Sequence, residues 1–259
     1  MQKIKVRLID EDFPDNPYMN LALDEAIMRE VEASRSPPTM RFYRNKNAVI
    51  LGCFQYAQEE VDMEYVHKNG IVIAKRFTGG GAVYHDMGDI NYSVIMQDTM
   101  NLGFNVEKLF TTFMSAAKIS LEAKGVPDIV ASMNDITSRG KKIMGAAATM
   151  KKKALLFHAA LLVDTNLNTL ASVLKVPGIK LKDKGVSTIL ERVANIKELS
   201  GLGIEEVKSA IMSGHQLSMG FEFERGDITL AERAILKRLY EEKYSKDIWN
   251  MGRELIEVK

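Results

Sequence analysis

Three consecutive glycines, Gly79, Gly80 and Gly81, lie within the segment 76–86, between two apolar runs. Glycine lacks a Cβ, so the backbone here can adopt positive φ values and approach a ligand closely. Successive N–H groups in such a turn form an anion-binding concavity, and Arg76 adds a planar, permanently charged donor. The turn alone favours a simple hairpin, so the rest of the chain must decide between a hairpin and an anion site.

A second candidate for anion binding is Lys142, which precedes the small residues 145–147. If residues 142–144 form a strand, Lys141 and Lys142 point to opposite faces of the sheet. A lysine aimed into the interior is unfavourable unless it meets an anion, and the small residues leave room for one. A basic hairpin edge that prevents aggregation explains the same spacing equally well.

Other ionisable residues are weaker candidates for a catalytic or ligand-binding role. Asp135 is a candidate ligand for a magnesium-bound phosphate, although an ordinary strand-end aspartate is the simpler interpretation. His85 and His158 lie near the expected ligand walls, yet a lone histidine is more often a hydrogen-bonded core or rim residue. Asp24 and Glu25 are adjacent on a predicted helix and do not share a face, which excludes them as a general acid/base pair.

Cys53 is the single cysteine, so an internal disulfide and a multi-cysteine zinc site are excluded. It follows a predicted strand and has no neighbouring histidine in sequence, which favours a small buried hydrophobic residue over a nucleophile. The four histidines lack the HExxH spacing of a zinc protease. The sequence therefore favours neither thiol-based nor zinc-based chemistry.

The composition excludes several broad classes of protein. Lys+Arg 35 against Asp+Glu 34 gives a net charge of +1, which argues against a DNA- or RNA-binding protein with a basic surface. The N-terminal residues are too charged for a signal peptide, and no apolar run is long enough to cross a membrane. We therefore expect a cytoplasmic protein that binds neither DNA nor membranes.

Local patterns predict mixed secondary structure without a repeat or an interdomain linker. Strands are predicted at 4–8, 40–44, 48–52, 71–74, 89–95, 130–136, 142–144 and 155–163, and helices at 16–35, 62–69, 105–124, 166–174, 203–213 and 228–243. The strands 40–44 and 48–52 should pair with each other, the strand 89–95 should return beside 71–74, and 175–192 should be an exposed loop. This order predicts an α+β or mixed α/β sandwich.

Taken together, the motifs resemble the lipoate–protein ligases of the biotin/lipoate ligase superfamily. Residues 75–86 match the family's RRxTGGGAVxHD loop, with Lys75 in place of the first arginine. Residues 134–135 and 142–147 match its ND and KIxGxA elements. Further matching segments are 20–26, 49–55, 157–162 and 191–196. The resemblance runs from about residue 5 to the C-terminus, and several long motifs in the same order make it specific.

The resemblance implies a class II synthetase-like catalytic domain over residues 1–259, with a central mixed sheet flanked by helices. It implies that ATP adenylates lipoate, with Mg²⁺ as cofactor, and that the lipoyl group then passes to a lysine of an acceptor protein. Lys142 would be the catalytic residue and would contact both the lipoate carboxylate and the α-phosphate. ATP and lipoyl-AMP would be bound by Arg76, Gly80, Gly81, Ala82, Val83, Tyr84 and Lys142; lipoate by Gly79, His85, His158 and Lys142; and the metal by Asp135.

The same resemblance implies particular partners. The family's acceptors are the lipoyl domains of 2-oxoacid dehydrogenase E2 subunits and the H protein of glycine cleavage. Many relatives carry a small C-terminal accessory domain, and this chain ends where that domain would begin. We therefore expect a bipartite enzyme in which a separate small protein supplies the accessory domain.

Two other functions remain open at this point. A cysteine-dependent octanoyl or lipoyl transferase on the same scaffold would need a thiol well after the lysine motif, where this sequence has none. A lipoate- or nucleotide-binding module without turnover would need only the pocket. The biotin branch of the superfamily is disfavoured by its different glycine loop. The sequence does not distinguish lipoate from octanoate, because both fit a narrow apolar tunnel.

Overall fold

The computed structural model describes residues 3–98, 105–175, 182–252 and 255–258. Its strands are β1 Ile4–Ile9, β2 Thr39–Tyr43, β3 Asn47–Leu51, β4 Val72–Lys75, β5 Val83–Asp86, β6 Asp89–Gln97, β7 Ile129–Ala131, β8 Asp135–Ser138, β9 Lys141–Lys151, β10 Ala154–Leu162 and β11 Phe221–Arg225. Its helices are α1 Pro17–Glu32, α2 Ala57–Glu60, α3 Met63–Lys68, α4 Val106–Ala123, α5 Leu167–Val173, α6 Lys182–Arg192, α7 Ile196–Ser200, α8 Ile204–Met219, α9 Leu230–Leu239 and α10 Asp247–Met251, with a π-helical turn at Tyr240–Tyr244.

Two sheets organise the described part of the chain. The larger sheet has the strand order β11-β1-β2-β6-β10-β9-β8-β7, and the smaller sheet has the order β4-β3-β5. In the larger sheet β1 runs parallel to both of its neighbours, and the remaining pairs are antiparallel. In the smaller sheet β3 is parallel to β4 and antiparallel to β5. Both sheets are therefore mixed, as the family resemblance implies for the central sheet.

Helix α1 connects the two sheets. The side chain of Asn16 caps its N-terminus by accepting a hydrogen bond from the Met19 N–H, and Pro17 fits the first turn because its missing N–H is not needed there. Its buried face, including Leu23 and Ile27, packs between β6 of the larger sheet and β4 of the smaller one. The helix therefore forms part of the core beneath both sheets.

Helices α4 and α8 cover the opposite face of the larger sheet. They approach so closely that a Cβ on Gly214 would lie 2.3 Å from the Ala116 carbonyl oxygen. Phe113 of α4 stacks on Phe157 of β10, with the two ring centroids 4.9 Å apart. Besides the two clusters on either face of the larger sheet, a third apolar cluster lies between the smaller sheet, α3 and α5. It is called the third cluster below.

Two of the predicted strand pairings are wrong. The strands β2 and β3 do form, but β2 lies between β1 and β6 in the larger sheet, whereas β3 is the centre of the smaller one. The connection between them is stabilised by Asn20, whose side-chain amide donates to the Arg44 carbonyl and to Asn45 Oδ1. The chain therefore crosses from one sheet to the other instead of turning back in a hairpin.

The strand β6 also lies elsewhere than predicted. It pairs with β2 and β10 over most of its length and does not lie beside β4. The strand that follows β4 in the chain is β5, and it pairs with β3 on the side away from β4. The interpretation of the glycine turn as a tight hairpin is consequently wrong, because β4 and β5 are not paired with each other.

Most of the described part of the segment 175–192 is helical. Residues 176–181 lie outside the described part, but Lys182–Arg192 is helix α6, so the loop prediction is wrong there. Ile189 of this helix packs on the third cluster, which explains why the amphipathic segment folds. The predictions also missed the short elements α2, α7, α10, β5 and β11. Among the helices that the structure describes, none is both long and apolar enough to cross a membrane.

Candidate active site

A cavity of about 90 Å³ lies where the loop between β4 and β5 faces β9 and β10. Residues 77–82 are called the glycine loop below. The walls combine cationic and polar side chains with small or apolar residues, so the cavity can take a ligand with a charged head and an apolar tail. It is lined by Leu21, Tyr43, Ile50, Arg76, Gly81, Ala82, Val83, His85, Asn91, Asn134, Lys142, Gly145, Ala146, Ala147, His158, Ala159 and Ala160.

The glycine loop crosses over the end of β3. Gly80 has φ 96°, a conformation that residues with a side chain rarely adopt. The loop passes so close to Gly52 that a Cβ there would lie 2.1 Å from the Gly80 carbonyl oxygen. Two glycines from separate segments are therefore needed to place the loop against β3.

The guanidinium of Arg76 organises this loop from inside. Its Nη2 donates to the carbonyl oxygens of Gly79 at 2.7 Å and Gly81 at 2.9 Å. Its Nε donates to Thr78 Oγ1 at 3.1 Å, and its Nη1 donates to the Ile50 carbonyl at 3.2 Å. Arg76 thus ties the loop to β3 through the loop's carbonyl and hydroxyl oxygens and uses none of its N–H groups.

Arg76 also brings an uncompensated positive charge to the cavity wall. Its side chain is buried, and burial lowers the pKa of the guanidinium to about 10, so it remains a cation at neutral pH. In the part of the chain that the structure describes, no carboxylate forms an ion pair with Arg76. A buried cation held only by neutral groups favours the binding of an anion.

Lys142 lies on β9 beside a bulge at which the register with β8 shifts. Its Nζ is 2.7 Å from Asp135 Oδ1, and both side chains are about one-third exposed, at 38% and 31%. Its backbone carbonyl accepts a hydrogen bond from the Ala194 N–H. Lys141 points to the other face and is exposed, so the predicted alternation holds and only Lys142 lines the cavity.

His158 links the glycine loop to helix α1. Its Nε2 forms a 2.8 Å hydrogen bond with Thr78 Oγ1, and its Nδ1 lies 3.9 Å from Asp24 Oδ2. Burial and the positive charge of Arg76 lower the pKa of His158 to about 3. The imidazole is therefore neutral, and it positions the loop without adding charge.

His85 is also neutral, because burial and the charge of Arg76 lower its pKa to about 3. Its Nδ1 accepts from the Asn45 side-chain amide at 2.9 Å. Its Nε2 has no hydrogen-bond partner among the described residues, and the ring lines the cavity. The Nε2 atom is buried and lies 3.9 Å from Asp89 Oδ2, so His85 adds a neutral ring to the wall and no accessible donor.

Most of the predicted site residues meet at this cavity. Gly79 and Gly80 belong to the glycine loop, and Asp135 is joined to the wall through Lys142. Tyr84 differs, since its buried side chain turns into the third core cluster and its hydroxyl donates to Asn47. Those that line the cavity directly are Arg76, Gly81, Ala82, Val83, His85, Lys142 and His158.

Sequence reasoning missed several wall residues. Leu21 comes from α1, Tyr43 from the end of β2 and Asn91 from β6. Asn91 donates to the buried Asp89 carboxylate at 2.8 Å. A polar residue within the alternating strand β6 was the available signal, but only the tertiary fold shows which cavity it faces.

Asp135 is the candidate metal ligand. No group of three or more His, Cys, Asp or Glu side chains suitable for a metal occurs within the described ranges. Magnesium commonly needs only one or two carboxylates when substrate phosphates complete its coordination. The partly exposed carboxylate of Asp135 beside an anion-binding wall fits that kind of site, so the residues present are compatible with Mg²⁺ arriving with a nucleotide.

Comparison with known proteins identifies the family. The model of the lipoyl protein ligase A/B catalytic domain matches residues 16–216. Lipoate-protein ligase A subunit 1 of Thermoplasma acidophilum is 41% identical over 256 residues, covering 95% of this chain and 96% of that protein. The chain belongs to the lipoyl protein ligase A/B catalytic domain family.

Solved structures agree in fold. A bi-partite lipoate protein ligase from T. acidophilum, studied with its E2 lipoyl domain, has a TM-score of 0.90 and 42% identity, covering 99% of this chain and 100% of that one. A candidate lipoate protein ligase from the same organism with bound lipoic acid has a TM-score of 0.83 at 39% identity, covering 96% and 99%. A lipoate-protein ligase A bound with ATP has a TM-score of 0.84 at 39% identity, covering 97% and 100%. The predicted family and fold class are confirmed.

Proposed function

We propose that this chain is the catalytic subunit of a two-part, ATP-dependent lipoate–protein ligase. It activates lipoate as lipoyl-AMP and transfers the lipoyl group to a lysine of a lipoyl domain. Relatives of this chain are named lipoate-protein ligases. Two similar solved structures contain lipoic acid and ATP, respectively. The observation that carries the proposal is that Arg76, the glycine loop and Lys142 line one cavity with an apolar wall.

The first step joins two anions. A lipoate carboxylate oxygen attacks the α-phosphorus of ATP, the bond to the bridging oxygen breaks, and pyrophosphate leaves with the electron pair. The cationic groups of Arg76 and Lys142 offset the repulsion between carboxylate and triphosphate and stabilise the charge that develops at phosphorus. Backbone N–H groups of the glycine loop can donate to phosphate oxygens.

Magnesium fits this step as a counterion for the departing pyrophosphate. Asp135 is the residue that would hold it, because its carboxylate adjoins the wall that carries Lys142. When bound there, the ion would neutralise charge on the phosphate oxygens. Asp135 would then exchange its contact with Lys142 for one with the metal.

The second step needs no nucleophile from this chain. The amine of an acceptor lysine attacks the lipoyl carbonyl, an amide forms, and AMP leaves with the electrons of the C–O bond. The buried, neutral His85 and His158 keep further charge out of the cavity. The mixed anhydride must be shielded from water, and we assign that task to the glycine loop and to α6, which contacts β9, the strand that carries Lys142.

The partners are inferred from the relatives. A bi-partite ligase and its E2 lipoyl domain are described together for T. acidophilum, which supports a lipoyl domain as acceptor and a separate accessory protein as second subunit here. The H protein of glycine cleavage carries the same kind of acceptor lysine, and we propose it as a further substrate. Because the reaction consumes ATP, we propose a cytoplasmic location.

Lipoate-dependent ATP–pyrophosphate exchange tests this function directly. The chain should exchange label when the accessory protein is added, and it should transfer lipoate from supplied lipoyl-AMP to a lipoyl domain without it. Octanoate tested in parallel establishes the preferred acyl chain. A chain that neither exchanges with the partner nor uses lipoyl-AMP is a binding module, and the proposal would be wrong.

A cysteine-dependent acyl transferase is disfavoured by the position of the thiol. Cys53 is the single cysteine of the sequence and is packed in the core cluster around α1, not on the cavity wall. Burial raises the pKa of its thiol, which disfavours the reactive thiolate. The chemistry of the cavity is therefore that of a ligase.

A further inference from the structure

The edge strand β4 ends at Lys75, immediately before the glycine loop. In the part of the chain that is described, β4 pairs with β3 alone, so its other edge has no neighbouring strand. At Lys75 that edge is completed by side chains of α10: Asn250 Oδ1 accepts from the Lys75 N–H at 3.0 Å, and Trp249 Nε1 donates to the Lys75 carbonyl at 2.7 Å. The N–H and the carbonyl of Lys75 are thus both hydrogen-bonded to the C-terminal segment, by which we mean residues 240–252.

The side chain of Lys75 is held by the same segment. It is fully buried, its Nζ donates to the carbonyl oxygen of Gly252, and it lies 5.8 Å from the Trp249 ring centroid. No carboxylate among the described residues pairs with Lys75, so its buried ammonium depends on the Gly252 carbonyl and the Trp249 ring. These four contacts, two with the backbone and two with the side chain of Lys75, fix where the glycine loop begins.

The next residue is Arg76, which organises the loop. Its N–H donates to the Leu51 carbonyl at 3.0 Å, and its guanidinium reaches the carbonyls of Gly79 and Gly81. A shift of the Lys75 backbone would move the base of this side chain and hence every loop carbonyl that it holds. The contacts of α10 therefore bear on the loop that faces the cavity.

The docking of the C-terminal segment has a separate basis. Tyr244 and Lys243 of the π-helical turn bond Glu25 Oε2 at 2.6 and 2.9 Å, and the Asn250 side-chain amide donates to the Tyr244 carbonyl at 2.7 Å. Asn250 takes part in both sets of bonds, and the Tyr244 and Trp249 rings pack edge to face with their centroids 6.1 Å apart. The hydroxyl bond from Tyr244 to Glu25 touches neither Lys75 nor the glycine loop, so this one bond can be removed separately.

We propose that Trp249 and Asn250 are positioning residues that set the glycine loop for nucleotide binding, by replacing a neighbouring strand at the edge of β4. That the glycine loop binds a nucleotide rests on the ligase function proposed above. That Trp249 and Asn250 position the loop rests on their hydrogen bonds to Lys75. Trp249 and Asn250 do not line the cavity, so in this proposal they act on the reaction through the glycine loop.

Trp249→Phe removes the indole N–H donor together with one ring of the indole, and it keeps a single aromatic ring in place. The buried Lys75 carbonyl would lose its partner, so we expect the KM for ATP in the exchange reaction to rise about tenfold with little change in kcat. Tyr244→Phe is the matched control, because it removes one hydrogen bond from the same segment without touching Lys75. It should lower the melting temperature but leave the KM for ATP unchanged.

Amide hydrogen exchange gives a readout that needs no ligand. The amides of Arg76 and Cys53 bond the Leu51 and Thr78 carbonyls, and both should exchange faster in Trp249→Phe than in Tyr244→Phe. Equal exchange and equal KM in the two variants would overturn the positioning role. A wild-type chain that does not use ATP would refute the ligase function, while the exchange comparison would still decide the role of Trp249.

Discussion

Lys142 Nζ lies 2.7 Å from Asp135 Oδ1, where β8 and β9 meet the cavity wall. Both side chains remain partly exposed, and an exposed ion pair contributes only about 0–1 kcal/mol. The lysine can therefore leave its carboxylate for a stronger anion at little cost. In the resting protein Asp135 holds Lys142 beside the cavity, and a substrate carboxylate and phosphate can take its place.

Lys142→Ala should abolish adenylation while the fold survives. Removing a group that stabilises transition-state charge typically costs about 100- to 1000-fold in kcat, and here the same group also offsets repulsion between the substrates. ATP–pyrophosphate exchange is the measurement, with circular dichroism and a melting curve to establish folding. Lys141→Ala, on the exposed face of the same strand, should retain wild-type exchange. Retained adenylation in Lys142→Ala would refute its catalytic role.

Asp135→Asn separates a metal ligand from a partner that only restrains Lys142. If the carboxylate holds Mg²⁺, the Mg²⁺ concentration needed for half-maximal exchange should rise about tenfold or more, because a neutral amide is a weaker ligand for a hard cation. Transfer from supplied lipoyl-AMP needs no triphosphate and should change little. An unchanged Mg²⁺ requirement would leave Asp135 as a partner of Lys142 alone.

Much of the site could be predicted from sequence because its determinants are local. Three glycines after Arg76 and a lysine before small residues encode backbone shape and charge within a few positions, and the structure brings these segments to one cavity. The strands themselves were also mostly predicted, since alternation along one segment indicates a strand. The strands with which they pair were not predicted correctly.

The missed features depend on contacts between distant segments. The paired-strand prediction for β2 and β3 failed because the bonds of Asn20 to the connection, which carry it between sheets, come from a helix some twenty residues away. The hydrogen bond from the Trp249 indole to the Lys75 carbonyl joins residues 174 positions apart. Periodicity describes which face of a segment is apolar, but it does not state which segment covers it.

Cys53→Ser distinguishes a ligase from an acyl transferase. A ligase uses no thiol, so exchange and transfer should both survive the substitution, whereas a transferase would lose all activity. A buried hydroxyl without a partner costs about 1–3 kcal/mol, and this can lower the melting temperature. Cys53→Ala removes the thiol without adding a polar group and controls for that loss. Loss of transfer in both folded variants would support the transferase.

Gly52→Ala should disturb the glycine loop from outside it. The added Cβ would lie 2.1 Å from the Gly80 carbonyl oxygen, so the loop must move. Overpacking of this kind costs about 1–3 kcal/mol, and we expect a lower melting temperature together with a higher KM for ATP. Gly79→Ala is the comparison within the loop, because its Cβ would meet only Phe54 at 3.8 Å. A Gly52→Ala protein with wild-type melting and KM would contradict the close approach.

His215→Phe should make the stability of the protein less sensitive to acid. Burial lowers the pKa of His215 in the folded protein to about 4, from an ordinary value of 6.5. Between these values the unfolded chain binds a proton that the native chain does not, so stability is complete above pH 6.5 and falls as the pH drops toward 4. From pH 7 to pH 5 this one group accounts for about 2 kcal/mol of lost stability.

Urea unfolding of the wild type and of His215→Phe at pH 7 and pH 5 measures that difference. The ring of His215 packs against those of Tyr92, Phe113 and Phe221, so phenylalanine fits the same aromatic cluster. The comparison cancels the opposing effect of Asp24 and Asp89, whose pKa values are raised by burial in both proteins. His67→Gln, on the exposed face of α3, tests whether losing any histidine has the same effect. Parallel stability losses in the wild type and His215→Phe would mean that His215 is protonated equally in the folded and unfolded chains.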